Sequence, residues 1–211
     1  MTAKLSTKEQ ILEAARQLFS EYGYDGTSIR QIADKCNVNV AAVNYHFGNK
    51  HGLFWSIVVS ADEWLTQNVA KCAENCQDFE NLVVCIFRVM NEGQDYVRST
   101  MKALLTEGVP LPDEGHAYYE KFKAERLGPP GGETMAQFLN KEFGDQVSPE
   151  ALEWGVQSIF SSMFHWSTMC STSAFAEIKK KKGMTDEKIE DNLRRLTKSV
   201  TAYMRDKSNW N

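Results

Sequence analysis

Val40, Ala41 and Asn44 are the side chains whose types and spacing best fit a defined chemistry. An asparagine amide can pair bidentately with adenine, and small apolar groups can touch a thymine methyl. At i, i+1 and i+4 they share one face of a helix, provided that something turns this face outward. The stretch around them, SIRQIADKCNVNVAAVNYHFGNKHGLF from Ser28 to Phe54, is built to do so. It reads as a short helix, a tight turn and a second short helix, with a capped third helix following at once. Such an arrangement can push one helix into the major groove of a duplex.

The elements that must hold those residues can be read from caps and periodicity. The spacing predicts a first helix over Thr7 to Tyr22, with Ile11, Leu12, Ala15, Leu18, Phe19 and Tyr22 as its apolar stripe. Ser6 and Glu9 form a capping box, because hydroxyl and carboxylate each satisfy an orphan amide. Gly23 and Gly26 bracket the turn that ends it. Thr27 or Ser28 caps the second helix, which turns Ile29, Ile32 and Ala33 inward. Cys36-Asn37-Val38 makes the turn, since asparagine tolerates a left-handed backbone. Asn39 then caps the third helix, Val40 to His46 or Phe47, with Val43 and Phe47 in the core. Gly48 breaks it, Asn49 caps a long fourth helix, and Lys50 lies in its first turn. Thr27 and Lys50 stand at helix starts, where free amides attract anions.

At 211 residues and 42% hydrophobic, the chain can build a substantial core. Its net charge of −4 argues against a general polyanion binder. Residues 1–54 hold six Lys/Arg against five acids, whereas the rest holds 18 against 23. A near-neutral head on an acidic body fits contact with DNA through a small surface. No apolar run follows the initiator Met, and nothing approaches the ~20 apolar residues of a membrane helix. The five cysteines contain no CxxC pair. These features predict a cytoplasmic protein with reduced thiols. There is no nucleophile elbow, no HExxH and no phosphate loop, and GPPGG lacks a strand leading into a helix. The reading is therefore not an enzyme, with no cofactor and no metal.

Helical period continues to the end, with neither strand signal nor internal repeat, so the expected class is all-α. Leu53, Phe54, Ile57, Val58, Ala61, Trp64, Leu65, Val69, Cys72 and Cys76 carry the stripe of helix four. Further helices are expected near Phe79 to Val97, on to about Glu107, His116 to Leu127, Glu133 to Phe143, Ser148 to Cys170 and Asp186 to Arg205. Residues 1–52 read as one small domain and 53–211 as a second, with helix four shared by both. Ile189, Leu193, Leu196, Val200 and Tyr203 repeat at seam spacing. Ile159, Phe160, Met163, Phe164, Trp166 and Met169 cover most sides of the preceding helix. That fits a central core helix or, as favoured here, a helix pair that also packs on a second copy.

From Thr27 to Leu53 the chain resembles the TetR family of transcriptional regulators. The matching residues are Thr27-Ser28, Ile32-Ala33, Asn37-Val38-Asn39, Tyr45-His46-Phe47, Lys50 and Leu53, preceded by LFSEYGYDGTS. The resemblance covers about the first quarter of the chain. It implies a three-helix helix-turn-helix domain followed by a helical ligand-binding and dimerisation domain. It implies a homodimeric repressor on a near-palindromic operator, released by a small molecule. Thr27, Ser28, Tyr45, His46 and Lys50 match family positions that hold the phosphate backbone, and Asn39 belongs with the DNA-facing set. Asn37 stands where Gly is usual, Asn44 where an aromatic is frequent, and His51 where an acid is common.

The resemblance also implies a cavity in the second domain. Trp64, Phe87, Met90, Met101, Leu104, Tyr118, Phe122, Trp154, Phe160 and Phe164 are candidate lining residues, with plain core packing as the alternative for each. Such a lining suits an apolar or aromatic effector. Cys72 and Cys76, four apart, read as small buried residues; a thiol- or metal-responsive sensor on the same head is the alternative. Lys179 to Lys182 reads as a solvated loop.

Overall fold

Ser6 sets where the chain first turns helical. Its hydroxyl accepts from the Glu9 amide at 3.3 Å, while the Glu9 carboxylate accepts from the Ser6 amide at 2.8 Å. This is the expected capping box, and α1 runs Thr7–Tyr22 behind it. The computed structural model describes residues 5–93, 100, 111–112 and 129–210. By their contacts the described residues 5–62 fall in one unit, and 63–93 with 129–210 in another. All helical elements below belong to these described residues.

In the first unit, α1 buries Ile11, Ala14, Ala15, Leu18 and Phe19. The second helix, α2 (Ile29–Lys35), is capped by Ser28 rather than Thr27. Asn37 takes φ 54°, the left-handed turn expected of it. Asn39 caps α3 (Val40–Phe47), its Oδ1 accepting from the Ala41 amide at 2.9 Å. Gly48 ends α3, and the Asn49 side chain accepts from the Gly52 amide at 2.8 Å as α4 (Lys50–Asn75) begins. Leu53, Phe54, Ile57 and Val58 of α4 close the core over Ile32, Ala33, Val43 and Phe47.

The second unit contains the rest of α4 and five further α-helices. They are α5 (Phe79–Glu92), α6 (Gly132–Phe143), α7 (Pro149–Cys170), α8 (Ser173–Lys182) and α9 (Asp186–Arg205). Asp78, Ser148, Thr172 and Thr185 cap α5, α7, α8 and α9. The Glu142 carboxylate also accepts from the Phe79 amide at 3.0 Å, tying the end of α6 to the start of α5. Helices α5, α7 and α9 pack on one another through Ile86, Met90, Ile159, Met163, Ile189 and Leu193, all essentially excluded from solvent.

Two glycines permit close helix approach. Gly131 takes φ 73° and donates its amide to Thr66 Oγ1 at 3.1 Å. A Cβ there would strike the Val69 side chain, so Gly131 seats the chain against α4. A Cβ on Gly155 would run into the Met204 thioether where α7 crosses α9.

Four expectations change. Lys179 to Lys182 are not loop but the last turn of α8, which Thr172 caps, buried Phe175 anchors and left-handed Gly183 stops. Lysines are good helix formers, and cations suit a helix carboxyl end. The seam residues Ile189, Leu193 and Val200 are spent inside the unit, leaving Leu196 half-buried and Tyr203 exposed. The expected helix from Phe79 ends at Glu92, where Gly93 packs under the Trp64 indole. Finally, the thiols are not all reduced: Cys72 and Cys85 form a disulfide, while Cys36, Cys76 and Cys170 are free. The α4–α5 hairpin brings the Cα atoms of Cys72 and Cys85 to 5.9 Å. Cys76 could not serve Cys72 instead, because i, i+4 Cβ atoms on a helix lie about 5–6 Å apart and a disulfide needs about 4 Å. The helices expected to about Glu107 and from His116 to Leu127 lie outside the described residues.

The Gly155 contact can be tested directly. Gly155→Ala adds a methyl where the buried Met204 thioether stands, and moving it aside costs about 1–3 kcal/mol. Of this, about 1 kcal/mol is offset by helix propensity, so a modest net loss of stability is expected. Urea denaturation would show the lower midpoint; an unchanged midpoint would mean that α7 and α9 separate without penalty.

Candidate nucleic-acid interface

An eight-residue helix does not hold itself in water, so α3 must be fixed by what it buries. Val43 is fully buried and Phe47 nearly so, one turn apart on the inner face. The opposite face is thereby forced outward. Val40, Ala41, Asn44, Tyr45 and His46 are all exposed, Tyr45 at 85%. A large ring left this far in water has no core role. The His46 imidazole meets the Tyr45 ring edge-on at 5.3 Å. The structure thus brings the three expected base-facing side chains and two of the phosphate-facing ones onto one surface.

Ser28 is exposed at the start of α2. Its hydroxyl accepts from the Gln31 amide at 3.2 Å and donates to Gln31 Oε1 at 2.7 Å. The Gln31 carboxamide in turn accepts from the Ser28 amide at 2.7 Å. Asn39 is exposed, with its Oδ1 used by the cap.

Thr27 and Lys50 are placed differently from the expectation. Thr27 is 2% exposed, and its hydroxyl donates to the Gly23 carbonyl at 2.8 Å. It is an internal tie of the α1–α2 loop, because the turn after Gly23 folds its side chain inward. The half-buried Lys50 ammonium donates to the Tyr24 carbonyl at 3.0 Å and the Thr27 carbonyl at 3.2 Å. It also lies 4.3 Å from the centre of the Tyr24 ring, which packs on Phe19 and Phe54. A cation in the first turn of a helix opposes the helix dipole. The two carbonyls and the ring face offset that cost, and they join α4 to the loop that launches α2.

Arg30, exposed on α2 two residues after the Ser28 cap, is a candidate phosphate contact the sequence reading passed over. Its signal is a cation beside the helix-turn-helix start. His51, noted in sequence only as a departure, accepts at Nε2 from the Trp55 indole at 2.9 Å.

The described candidate ligand residues take different positions in the second unit. Phe87 and Met90 are fully buried in the core, and Trp64 is half-buried against Gly93. Phe160 and Phe164 stack on each other at 6.3 Å on α7. Trp154 is 41% exposed and clusters with Tyr203 at 5.2 Å and Trp210 at 5.6 Å, on the outside of the unit. Met101, Leu104, Tyr118 and Phe122 lie outside the described residues. Among the described residues no three His, Cys, Asp or Glu side chains gather to hold a metal, and no helix is long and apolar enough to cross a membrane.

Residues 11–57 match the bacterial regulatory proteins of the tetR family. That span is a TetR-family region. The matched span runs from within α1 to the first half of α4 and contains every candidate DNA-facing residue. The TetR-type chain is 35% identical over 91 residues to the probable HTH-type transcriptional regulator YttP of Bacillus subtilis, covering 42% of this chain and 44% of YttP. It is 31% identical over 88 residues to the HTH-type transcriptional repressor AcnR of Corynebacterium efficiens, covering 42% of each. The alignments thus span less than half the length of these relatives. The likeness to solved structures is one of fold. The TetR-family regulator PfmR of Thermus thermophilus superposes with a TM-score of 0.61 at 19% identity, covering 94% of this chain and 97% of PfmR.

The carbonyl contacts of Lys50 have a measurable consequence. Lys50→Met removes the donor from two carbonyls of a half-buried loop and should cost about 1–3 kcal/mol. Thermal unfolding followed by circular dichroism would report it; an unchanged melting temperature would return Lys50 to the solvent-facing role.

Proposed function

We propose that the chain is a sequence-specific DNA-binding transcriptional regulator, a homodimeric repressor released from its operator by a small molecule. The observation that carries this reading is the outward face of α3, held by Val43 and Phe47 within the TetR-family span. Asn44 reads a base edge through its amide, with Val40 and Ala41 supplying apolar contact. Tyr45, His46 and Ser28 set register on phosphates. The likeness to AcnR, named a transcriptional repressor, supports repression over activation.

A helix-turn-helix reader gains affinity and register from two half-sites about 34–36 Å apart. The second copy would dock on α7 and α9, where Phe160, Phe164 and Leu196 remain half-buried. The effector, apolar or aromatic, would bind in the second unit. Release requires that it bind the operator-incompetent state more tightly than the competent one. Such a protein works in the cytoplasm, where its operator is.

Selection of duplexes from a random library by the purified chain, at stated moderate salt, tests the reading. A near-palindrome with half-sites about one turn apart is expected. Asn44→Ala should relax preference at one position per half-site, at about 1–3 kcal/mol. Tyr45→Ala should weaken all sequences alike. Recovery of no motif, or an unchanged motif with Asn44→Ala, would sink the assignment.

A further inference from the structure

We infer that Cys72 and Cys85 form a reversible oxidation site through which peroxides alter the operator affinity of this chain. The inference rests on the DNA-binding reading above. A chain that binds an operator works in a compartment whose thiol pools keep cysteines reduced. There the Cys72–Cys85 bond is a state that the protein enters on oxidation and leaves on reduction.

The structure supplies a pair ready to close. The α4–α5 hairpin holds the two Cα atoms 5.9 Å apart, inside the range that a disulfide spans without backbone movement. The two cysteines differ in access. Cys72 is 4% exposed, whereas Cys85 is half-buried. That asymmetry assigns an order. The Cys85 thiolate attacks the peroxide, an S–O bond forms, the O–O bond breaks, and water or an alcohol leaves with a proton. The Cys72 thiol then attacks the sulfenic sulfur, the S–S bond forms, the S–O bond breaks, and water leaves. Two thiols are oxidised by two electrons and one peroxide is reduced. A cellular dithiol reverses the step by two exchanges.

Among the described residues, the remaining thiols have no partner of this kind within the hairpin. Cys36 donates its S–H to the Ile32 carbonyl at 3.0 Å. Burial holds Cys36, Cys76 and Cys170 above the usual thiol range, which lowers their thiolate fraction.

The bond also acts on the right element. Cys72 lies near the carboxyl end of α4, and the same continuous helix supplies Leu53, Phe54, Ile57 and Val58 to the core under α3. Closing the bond clamps one end of this helix to α5. The state favoured at the clamped end is then favoured along the helix, and operator affinity follows by linkage.

The test uses the full chain and the duplex recovered by selection. Fluorescence anisotropy would be measured after reduction by dithiothreitol, after hydrogen peroxide, and after reduction again. Intact and peptide mass spectrometry on the same samples would report loss and recovery of two hydrogens and the Cys72–Cys85 linkage. Wild type and Cys76→Ser should change affinity about tenfold on oxidation, within the usual range of coupling, and recover on reduction. Cys85→Ser, at the more accessible position, should not respond. Cys72→Ser is the second variant, and the wild-type comparison stands even where it misfolds. A bond that forms and breaks with unchanged affinity would overturn the inference, as would a response that persists in Cys85→Ser. Should neither form bind any duplex while the masses still cycle, the regulator reading itself falls, and the inference with it.

Discussion

The burial of Val43 and Phe47 is the constraint on which the outward chemistry depends. With only eight residues, α3 has too few internal hydrogen bonds to persist alone. Two apolar side chains one turn apart fix both its position and its rotation about its own axis. Rotation matters as much as position. A turn of 100°, one residue, would bury Asn44 and expose Val43. The face that meets solvent is therefore a product of the core, and the polar residues on it contribute little to holding it there.

The loop between α1 and α2 extends this constraint. Phe19, Tyr24 and Phe54 bring α1, the loop and α4 together with ring centres 5.3–5.8 Å apart. Lys50 and Thr27 then satisfy the loop carbonyls left by the turn. Buried carbonyls require donors, and the two residues meet that need from opposite sides of the loop. Sequence resemblance puts both residues among phosphate contacts. The geometry shows a prior obligation, internal to the head.

Most of the first unit was legible because its signals are local. Ser6 with Glu9, Asn37 in the turn, Asn39 before α3 and Gly48 after it each act within four residues, and each appears where the pattern places it. Expectations that depend on distant partners fared differently. Thr27 and Lys50 look free in sequence because their acceptors are carbonyls, which every residue has. The pairing of Cys72 with Cys85 depends on how two antiparallel helices align, and no spacing rule states that. The seam of α9 is a periodic signal that a core and a subunit interface share, and the core claims most of it. Helix α8 was hidden by its lysines, whose charge outweighed the cap at Thr172 and the stop at Gly183.

The two capping boxes of the first unit differ in one atom type, and the difference sorts them by pH. The box at α1 closes with the Glu9 carboxylate, which the Ser6 amide and hydroxyl hold below the ordinary carboxylate range. Its contribution is present above the unfolded carboxylate pKa and disappears as pH falls through the lowered folded value. The box at α2 closes with the Gln31 carboxamide, which has no proton to gain in that range. Acid therefore loosens the start of the supporting helix and leaves the start of the helix-turn-helix fastened. The neutral closure also keeps a negative charge away from the place where a phosphate backbone would pass.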